Sequence, residues 1–297
     1  MHIPVLLKEA IKTLDPKSGE FFIDGTFGGG GHAAAILEKI GPRGKLLAVD
    51  WDAKALKRAE GGFGGRRNIV LTRGNYADLP EILKRLELPK ADGLLLDLGF
   101  SSEQLGGRGF SFSKDEPLIM RYDDSKSGVT AADVVNGLGE KELADVIYKF
   151  GEERFSRKIA KAIVERRRKK RIETSGDLAG IVGEALPKNY ERGRIHPATR
   201  TFQALRIYVN GELENLERLL GGLEKILKSE GRVAVISFHS LEDRLVKKYF
   251  KKMEKEKNFL ILTKKPVSPS PEEIRANPRS RSAKLRAAAL KRPNSPF

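Results

Sequence analysis

The strongest constraint on this chain is a rhythm that starts, stops and returns. Phe21-Phe22-Ile23-Asp24 reads as a short strand, followed by a glycine-rich turn and a helical pattern over 33–40. Lys45-Leu46-Leu47-Ala48-Val49-Asp50 repeats the strand, with a helix over 53–59. Ile69-Val70-Leu71-Thr72 and Gly93-Leu94-Leu95-Leu96-Asp97 supply a third and a fourth. Runs that are apolar at successive residues belong to strands buried on both faces. Interleaved with helices, they imply a parallel sheet covered on both sides.

Near residue 100 the alternation ends in a stretch rich in Gly, Ser, Asp and Lys, and helices take over. Leu143, Val146, Ile147 and Phe150 follow the i, i+3, i+4, i+7 spacing of a buried helical face, as do Phe155, Ile159, Ala162 and Ile163. Thr174 with Asp177 resembles a capping box ahead of Leu178, Ile181, Val182 and Ala185. Phe202, Leu205 and Val209 begin a helix expected to continue through Leu213, Leu216 and Leu220. The strand pattern returns at 232–238, followed by a helix over 241–253 and a strand over 259–263. Four strands alone make a thin sheet with an exposed edge. The economical reading is therefore one α/β domain, residues 1–104 with 206–297, interrupted by a helical insertion at 105–205.

Composition narrows the function. The 297 residues contain no cysteine, which excludes disulfides, thiolate catalysis and cysteine–zinc sites. Four scattered histidines predict no His-rich metal site. No run of apolar residues is long enough for a membrane span, and the start lacks the pattern of a secretory leader, so a cytoplasmic protein is expected. The net charge of +16 is uneven: +1 over 1–104, +5 over 105–205 and +10 over 206–297. A neutral front and a basic rear suit a polyanion met by one part of the molecule, and the expected polyanion is nucleic acid.

Asp24-Gly25-Thr26-Phe27-Gly28-Gly29-Gly30-Gly31-His32 lies between a strand and a helix. Glycines there let backbone pass close to a cofactor, and a helix start offers N–H groups to an anion. Asp50 ends the next strand, where a carboxylate accepts hydrogen bonds from ribose hydroxyls. This pattern suits NAD or S-adenosylmethionine, and a structural turn with a helix-capping Asp is the plainer alternative. Three features favour S-adenosylmethionine: Asp24 leading the glycines, Tyr76 after the third strand, where an aromatic flanks adenine, and Asp97 at the end of the fourth. A packing aromatic and a loop cap are the plain alternatives for the last two.

Longer motifs then bring a resemblance. His2-Ile3-Pro4-Val5-Leu6-Leu7, Asp24-Gly25-Thr26 with Gly30-Gly31-His32, Leu96-Asp97-Leu98-Gly99 with Ser101, Ser102 and Gln104, and Arg108-Gly109-Phe110-Ser111-Phe112 open the series. Gly151-Glu152-Glu153-Arg154, the segment His196 to Ala204, the segment Ser237 to Arg244, and Asn277-Pro278-Arg279-Ser280-Arg281-Ser282 complete it. In these the chain resembles, nearly end to end, the MraW-type (RsmH) methyltransferases, which methylate the exocyclic N4 amine of one cytidine in bacterial small-subunit (16S) ribosomal RNA. The resemblance implies a class I S-adenosylmethionine-dependent methyltransferase fold, a Rossmann-like and mostly parallel sheet with an inserted all-helical domain for substrate recognition. It implies S-adenosyl-L-methionine as cofactor, with contacts at Gly30, Gly31, His32, Asp50, Tyr76, Asp97 and Gln104. The implied partner is small-subunit ribosomal RNA within an assembled or assembling subunit, with no membrane involved; a homodimer stays open. Two positions depart from the family pattern. Phe100 replaces a small aliphatic residue, and Ile119 stands where an Asp is usual, which puts any acid role there in doubt.

Methyl transfer from a sulfonium is an in-line displacement, so positioning supplies much of the rate. Hydrogen-bond acceptors aimed at the amine favour a more nucleophilic nitrogen, and Asp97 with the carbonyls of Leu98 and Gly99 are the candidates. His239 is the candidate proton acceptor, with a structural histidine bonded to Glu242 or Asp243 as its alternative. Phe100, Phe110, Phe112 and Tyr122 are candidates for stacking on an unpaired base, or for core packing. Arg166–Arg171, the lysines at 247, 248, 251 and 252, and Arg279, Arg281, Lys284 and Arg286 are candidates for phosphate contacts. An NAD(P)-dependent oxidoreductase and a non-catalytic RNA-binding assembly factor are the competing functions. The first leaves the basic rear and the Asp97 loop unexplained, and intact cofactor residues argue against the second.

Overall fold

The computed structural model describes residues 4–63, 65–99, 106–123, 128–193 and 195–292. The chain divides into two compact units, Met1–Ser101 with Leu213–Phe297, and Ser102–Glu212. Among the described residues no helix is long and apolar enough to cross a membrane.

The first unit is built on seven strands: β1 (Phe21–Asp24), β2 (Lys45–Asp50), β3 (Ile69–Arg73), β4 (Ala91–Asp97), β5 (Leu227–Ser237), β6 (Phe259–Ile261) and β7 (Lys284–Leu290). Their order is β3-β2-β1-β4-β5-β7-β6. β1 to β5 pair in parallel, and β7 lies antiparallel between β5 and β6. This is the Rossmann-like, mostly parallel sheet expected of a class I methyltransferase. Before residue 100 the helices of this unit are α1 (Leu7–Leu14), α2 (Gly31–Ile40), α3 (Ala53–Phe63) and α4 (Leu79–Arg85).

Alternate strand residues serve opposite faces, as a two-sided sheet requires. Phe21, Ile23, Leu47, Val49, Leu94, Leu96, Val233 and Val235 pack in one cluster with α4. Phe22, Leu46, Ala48, Leu95, Ala234 and Ile236 pack in the other with α1 and α2. The sheet centre is crowded. Gly93 pairs with Phe22 across β1 and β4, and a Cβ on Gly93 would sit 2.1 Å from the Phe22 ring.

The second unit is helical: α5 (Ala131–Gly137), α6 (Glu140–Gly151), α7 (Ser156–Arg167), α8 (Ser175–Ala185) and α9 (Thr199–Asn210). Of the predicted apolar faces, Leu143 and Ile147 of α6 and Ile159 and Ile163 of α7 join the core with α5, α8 and α9, Phe155 and Ala162 pack against it, and Val146 and Phe150 are buried. Thr174 caps α8 by accepting from the Asp177 N–H at 3.1 Å. Glu153, fully buried, accepts the Tyr190 hydroxyl and the Phe155 N–H.

Four expectations need correction. The helix expected from 202 through 220 is two helices, α9 and α10 (Glu212–Gly221), because Gly211 turns left-handed (φ 58°) and ends α9. The unit boundary falls at that break, between Glu212 and Leu213, and not at 206, which lies inside α9. After α11 (Leu223–Ile226), the strand expected at 232 begins at Leu227. The basic tail is a strand: β7 was hidden because alanines carry little strand signal, yet it is buried between two neighbours.

Gly93→Ala therefore puts a methyl into the Phe22 ring. We expect it to lower unfolding free energy by about 2 kcal/mol or more, the usual cost of overpacking, measured by urea denaturation. An unchanged midpoint would contradict the packing described.

Candidate functional site

β2, β1 and β4 are adjacent and parallel, and each ends in an aspartate: Asp50, Asp24 and Asp97. All three are buried. They share the carboxyl edge of the sheet, flanking β1, where chain connections leave in opposite directions and open α/β sheets bind ligands.

Asp24 receives the Thr26 N–H at 3.1 Å on Oδ1, while its buried Oδ2 has no hydrogen-bond partner. Burial pushes its pKa up to about 6, and the nearby His32 only partly offsets this. A buried carboxylate oxygen without a donor is costly, and it is satisfied by a cationic or N–H-bearing ligand. Asp50 is differently placed. Its oxygens accept the N–H groups of Gly28 at 2.7 Å and Asp52 at 2.8 Å, and burial raises its pKa. It thus orders the glycine turn, and any ribose contact uses its remaining lone pairs.

The glycines serve the fold as well as an approach. A Cβ on Gly30 (φ 75°) would meet the Phe27 and Phe63 rings, and one on Gly31 would meet Pro4. Gly28, by contrast, faces open space beyond 3.8 Å, and Gly29 is exposed. α2 begins after Gly30 with no side-chain cap and no acidic residue in its first turn. Its first N–H groups lack intrahelical acceptors. An uncapped helix start beside an orphaned carboxylate oxygen fits a ligand with a carboxylate and an ammonium together, such as the methionine end of S-adenosylmethionine.

Asp97 is held from three sides. Its N–H donates to Thr26 Oγ1 at 2.6 Å, and its Oδ1 accepts the Gly99 N–H at 3.0 Å. Its Oδ2 lies 3.7 Å from His32 Nδ1. His32, buried in the first turn of α2, donates from Nε2 to the Val5 carbonyl at 3.0 Å. Tyr76 starts a short 3-10 turn after β3 and packs its Cβ over Gly25. The structure thus brings Gly30, Gly31, His32, Asp50, Tyr76 and Asp97 to one sheet edge, and Gln104 and Phe100 lie outside the described residues. Thr26 was missed by sequence reading. Its signal was only the motif Asp24-Gly25-Thr26, and the bond to the Asp97 backbone appears only once β1 and β4 pair.

His239 takes its structural alternative. It is the N-cap of α12 (Ser240–Lys255), accepting the Glu242 N–H on Nδ1 at 3.4 Å. Its Nε2 lies 3.1 Å from Glu242 Oε1, within ion-pair reach though off the hydrogen-bond direction. With the Nδ1 lone pair used by the cap and the proton on Nε2, neither ring nitrogen is placed to accept another.

The stacking candidates within the described residues pack internally. Phe112 stacks on His196 with centroids 4.1 Å apart and meets Phe202 edge-on, and Phe110 stacks on Tyr122 at 5.4 Å. The basic runs divide too. Arg286 is buried and, with Lys284, binds Asp243, whose pKa falls because these cations outweigh the effect of its burial. Arg166, Arg167 and Arg171 bind Glu184, the Val135 carbonyl and Asp133. Lys247, Lys248, Lys251 and Lys252 are exposed along α12.

Comparison with known proteins gives a consistent picture. The family model described as the MraW methylase family matches residues 1–291. The chain is 49% identical to the ribosomal RNA small subunit methyltransferase H of Syntrophus aciditrophicus, over 97% of this chain and 96% of that protein. It is 51% identical to the protein of the same name from Thermotoga neapolitana, over 97% and 96%. It is 49% identical to that of Coprothermobacter proteolyticus, over 96% and 94%.

The Asp24 environment makes a pH-dependent prediction. A carboxyl whose folded pKa is raised stabilises the fold fully below the unfolded value of 3.8 and loses that contribution as pH rises through about 6. At pH 7 the ionised group therefore costs about 3 kcal/mol. Asp24→Asn is expected to raise unfolding free energy at pH 7 by roughly 1–3 kcal/mol, with the gain fading toward pH 4. Urea denaturation at several pH values checks this, and a loss of stability at pH 7 would contradict it.

Proposed function

Since the chain belongs to the MraW methylase family, a family of S-adenosylmethionine-dependent methyltransferases, we propose that it methylates the exocyclic N4 amine of a cytidine in small-subunit ribosomal RNA. The relatives' shared name supports the substrate class. The observation that carries the reading is Asp97, a buried carboxylate held at the end of β4 beside the glycine turn.

The residues that would hold the cofactor are Asp24, the open ledge at Gly28 and Gly29, the start of α2 at Gly30, Gly31 and His32, and Asp50, Tyr76 and Gln104. S-adenosylmethionine supplies a sulfonium methyl group, an electrophile that needs only a well-placed nucleophile. Asp24 Oδ2 receives the ammonium and the α2 N-terminus the carboxylate, which fixes the methionine end. Asp50 and Tyr76 receive the adenosine end. Asp97 accepts an N–H of the target amine, with the carbonyls of Leu98 and Gly99 as further acceptors. Accepting that hydrogen bond draws the lone pair out of ring conjugation and toward the methyl group. Because a paired amine cannot reach this edge, the base enters unpaired.

The exposed lysines of α12 supply phosphate contacts, and Arg286 and Lys284 do not. The helical unit contributes to substrate recognition, with Phe110, Phe112 and Tyr122 shaping its surface from within. His239 keeps its place as a helix cap in this reading.

Asp97→Asn retains the size of the side chain and loses the charge. We expect methylation at saturating S-adenosylmethionine to slow at least 100-fold, in line with the loss of a buried charged acceptor at a reacting group. Mass-spectrometric mapping of small-subunit RNA incubated with each protein reads both the position and the extent of modification. Full methylation by the folded variant would remove Asp97 from the mechanism.

A further inference from the structure

We propose that His32 takes up, by way of Asp97, the proton that the target amine sheds on methylation. The inference rests on the function proposed above and fills the place that His239 does not occupy.

The geometry of the ring is specific. A carbonyl oxygen only accepts, so the contact between Nε2 and the Val5 carbonyl puts the proton on Nε2. In the neutral ring Nδ1 then carries a lone pair, and it faces Asp97 Oδ2, another acceptor, at 3.7 Å. Hydrogen-bonded N–H···O pairs stand at about 2.7–3.2 Å. The wider gap is that of two lone pairs with no proton between them, and one proton placed there would draw the pair together. The other described histidines are already used. His196 and His239 each accept a backbone N–H on Nδ1, from Ala198 at 3.2 Å and from Glu242 at 3.4 Å.

Groups from several elements face the ring. Asp97 faces His32 from the end of β4, Asp24 acts on it from the end of β1, and the field of Asp50 at the end of β2 reaches Asp24. The Val5 carbonyl comes from the segment before α1. Pro4, packed on Gly31, brings no charge. An imidazole titrates near neutrality and holds a proton where an aspartate alone would release it.

The step balances. The amine nitrogen forms a bond to the methyl carbon, and the methyl–sulfur bond breaks with its electron pair moving to sulfur. The nitrogen, now cationic, gives a proton to Asp97 Oδ2, which passes it to His32 Nδ1. The imidazolium then donates from Nε2 to Val5 and from Nδ1 to Asp97. The positive charge that leaves sulfur reappears on the ring, so the site keeps its net charge. The proton goes to solvent once products leave. His32 acts through Asp97 and is a positioning and proton-holding residue.

The test uses His32→Gln, which keeps an N–H for the Val5 carbonyl and has no basic nitrogen. Wild-type single-turnover methylation is expected to fall at low pH, as the ring arrives already protonated. In H32Q, assayed with saturating S-adenosylmethionine at every pH, the rate at pH 7 is expected to drop at least tenfold and the acid limb to flatten. Nitrogen-15 histidine NMR of the wild-type protein is expected to show the neutral Nε2–H form at His32, with the Nδ1 resonance moved by Asp97→Asn. That second readout stands even if H32Q folds poorly. A wild-type rate and acid limb in H32Q, or a neutral Nδ1–H ring, would overturn the proposal. Wild-type protein that binds no S-adenosylmethionine would instead overturn the underlying function, so the two failures are distinguishable.

Discussion

Three carboxylates are buried side by side at the ends of β2, β1 and β4, and the rest of the site follows from how each is satisfied. Burial of an ionised carboxylate is tolerable only with compensating donors. Asp50 accepts two backbone N–H groups, Asp97 accepts the Gly99 N–H with His32 beside its other oxygen, and Asp24 accepts one N–H while its Oδ2 has no hydrogen-bond partner. The gradient is chemical information. The best-satisfied carboxylate orders the loop, and the least satisfied waits for a ligand's donor.

The same edge ties fold to chemistry through one hydroxyl. Thr26 accepts the Asp97 N–H, which ties the glycine turn after β1 to the end of β4. β5 extends the arrangement, since the Leu98 N–H donates to the Ile236 carbonyl at 2.9 Å. A side chain at the centre of the sheet, such as a methyl at Gly93, acts on this edge only through strand spacing.

Much of this was legible from residue order. Runs such as Leu94-Leu95-Leu96 announce a strand buried on both faces, and the acid that ends each run marks the ligand edge. The strand β7 was not legible: its alanines carry weak strand signal, and Arg286 and Lys284 look like surface charge until Asp243 is seen beneath them. Gly211 did not break the apolar period of α9 and α10, so one helix was expected where the left-handed turn makes two. His239 and His32 show the limit most clearly. Sequence position favours His239 as a base because it follows a strand end, and only hydrogen-bond geometry shows its Nδ1 spent on a cap while that of His32 faces a carboxylate.

In the proposed function the methyl donor rests on the ledge formed by Asp24 and its neighbours. Calorimetric titration of S-adenosylmethionine between pH 5 and 8 tests it most directly. Binding is expected to tighten as pH rises through about 6, where Asp24 ionises, and this dependence to disappear in Asp24→Asn. Binding that ignores pH in the wild-type protein, or a dependence that survives the substitution, would contradict it.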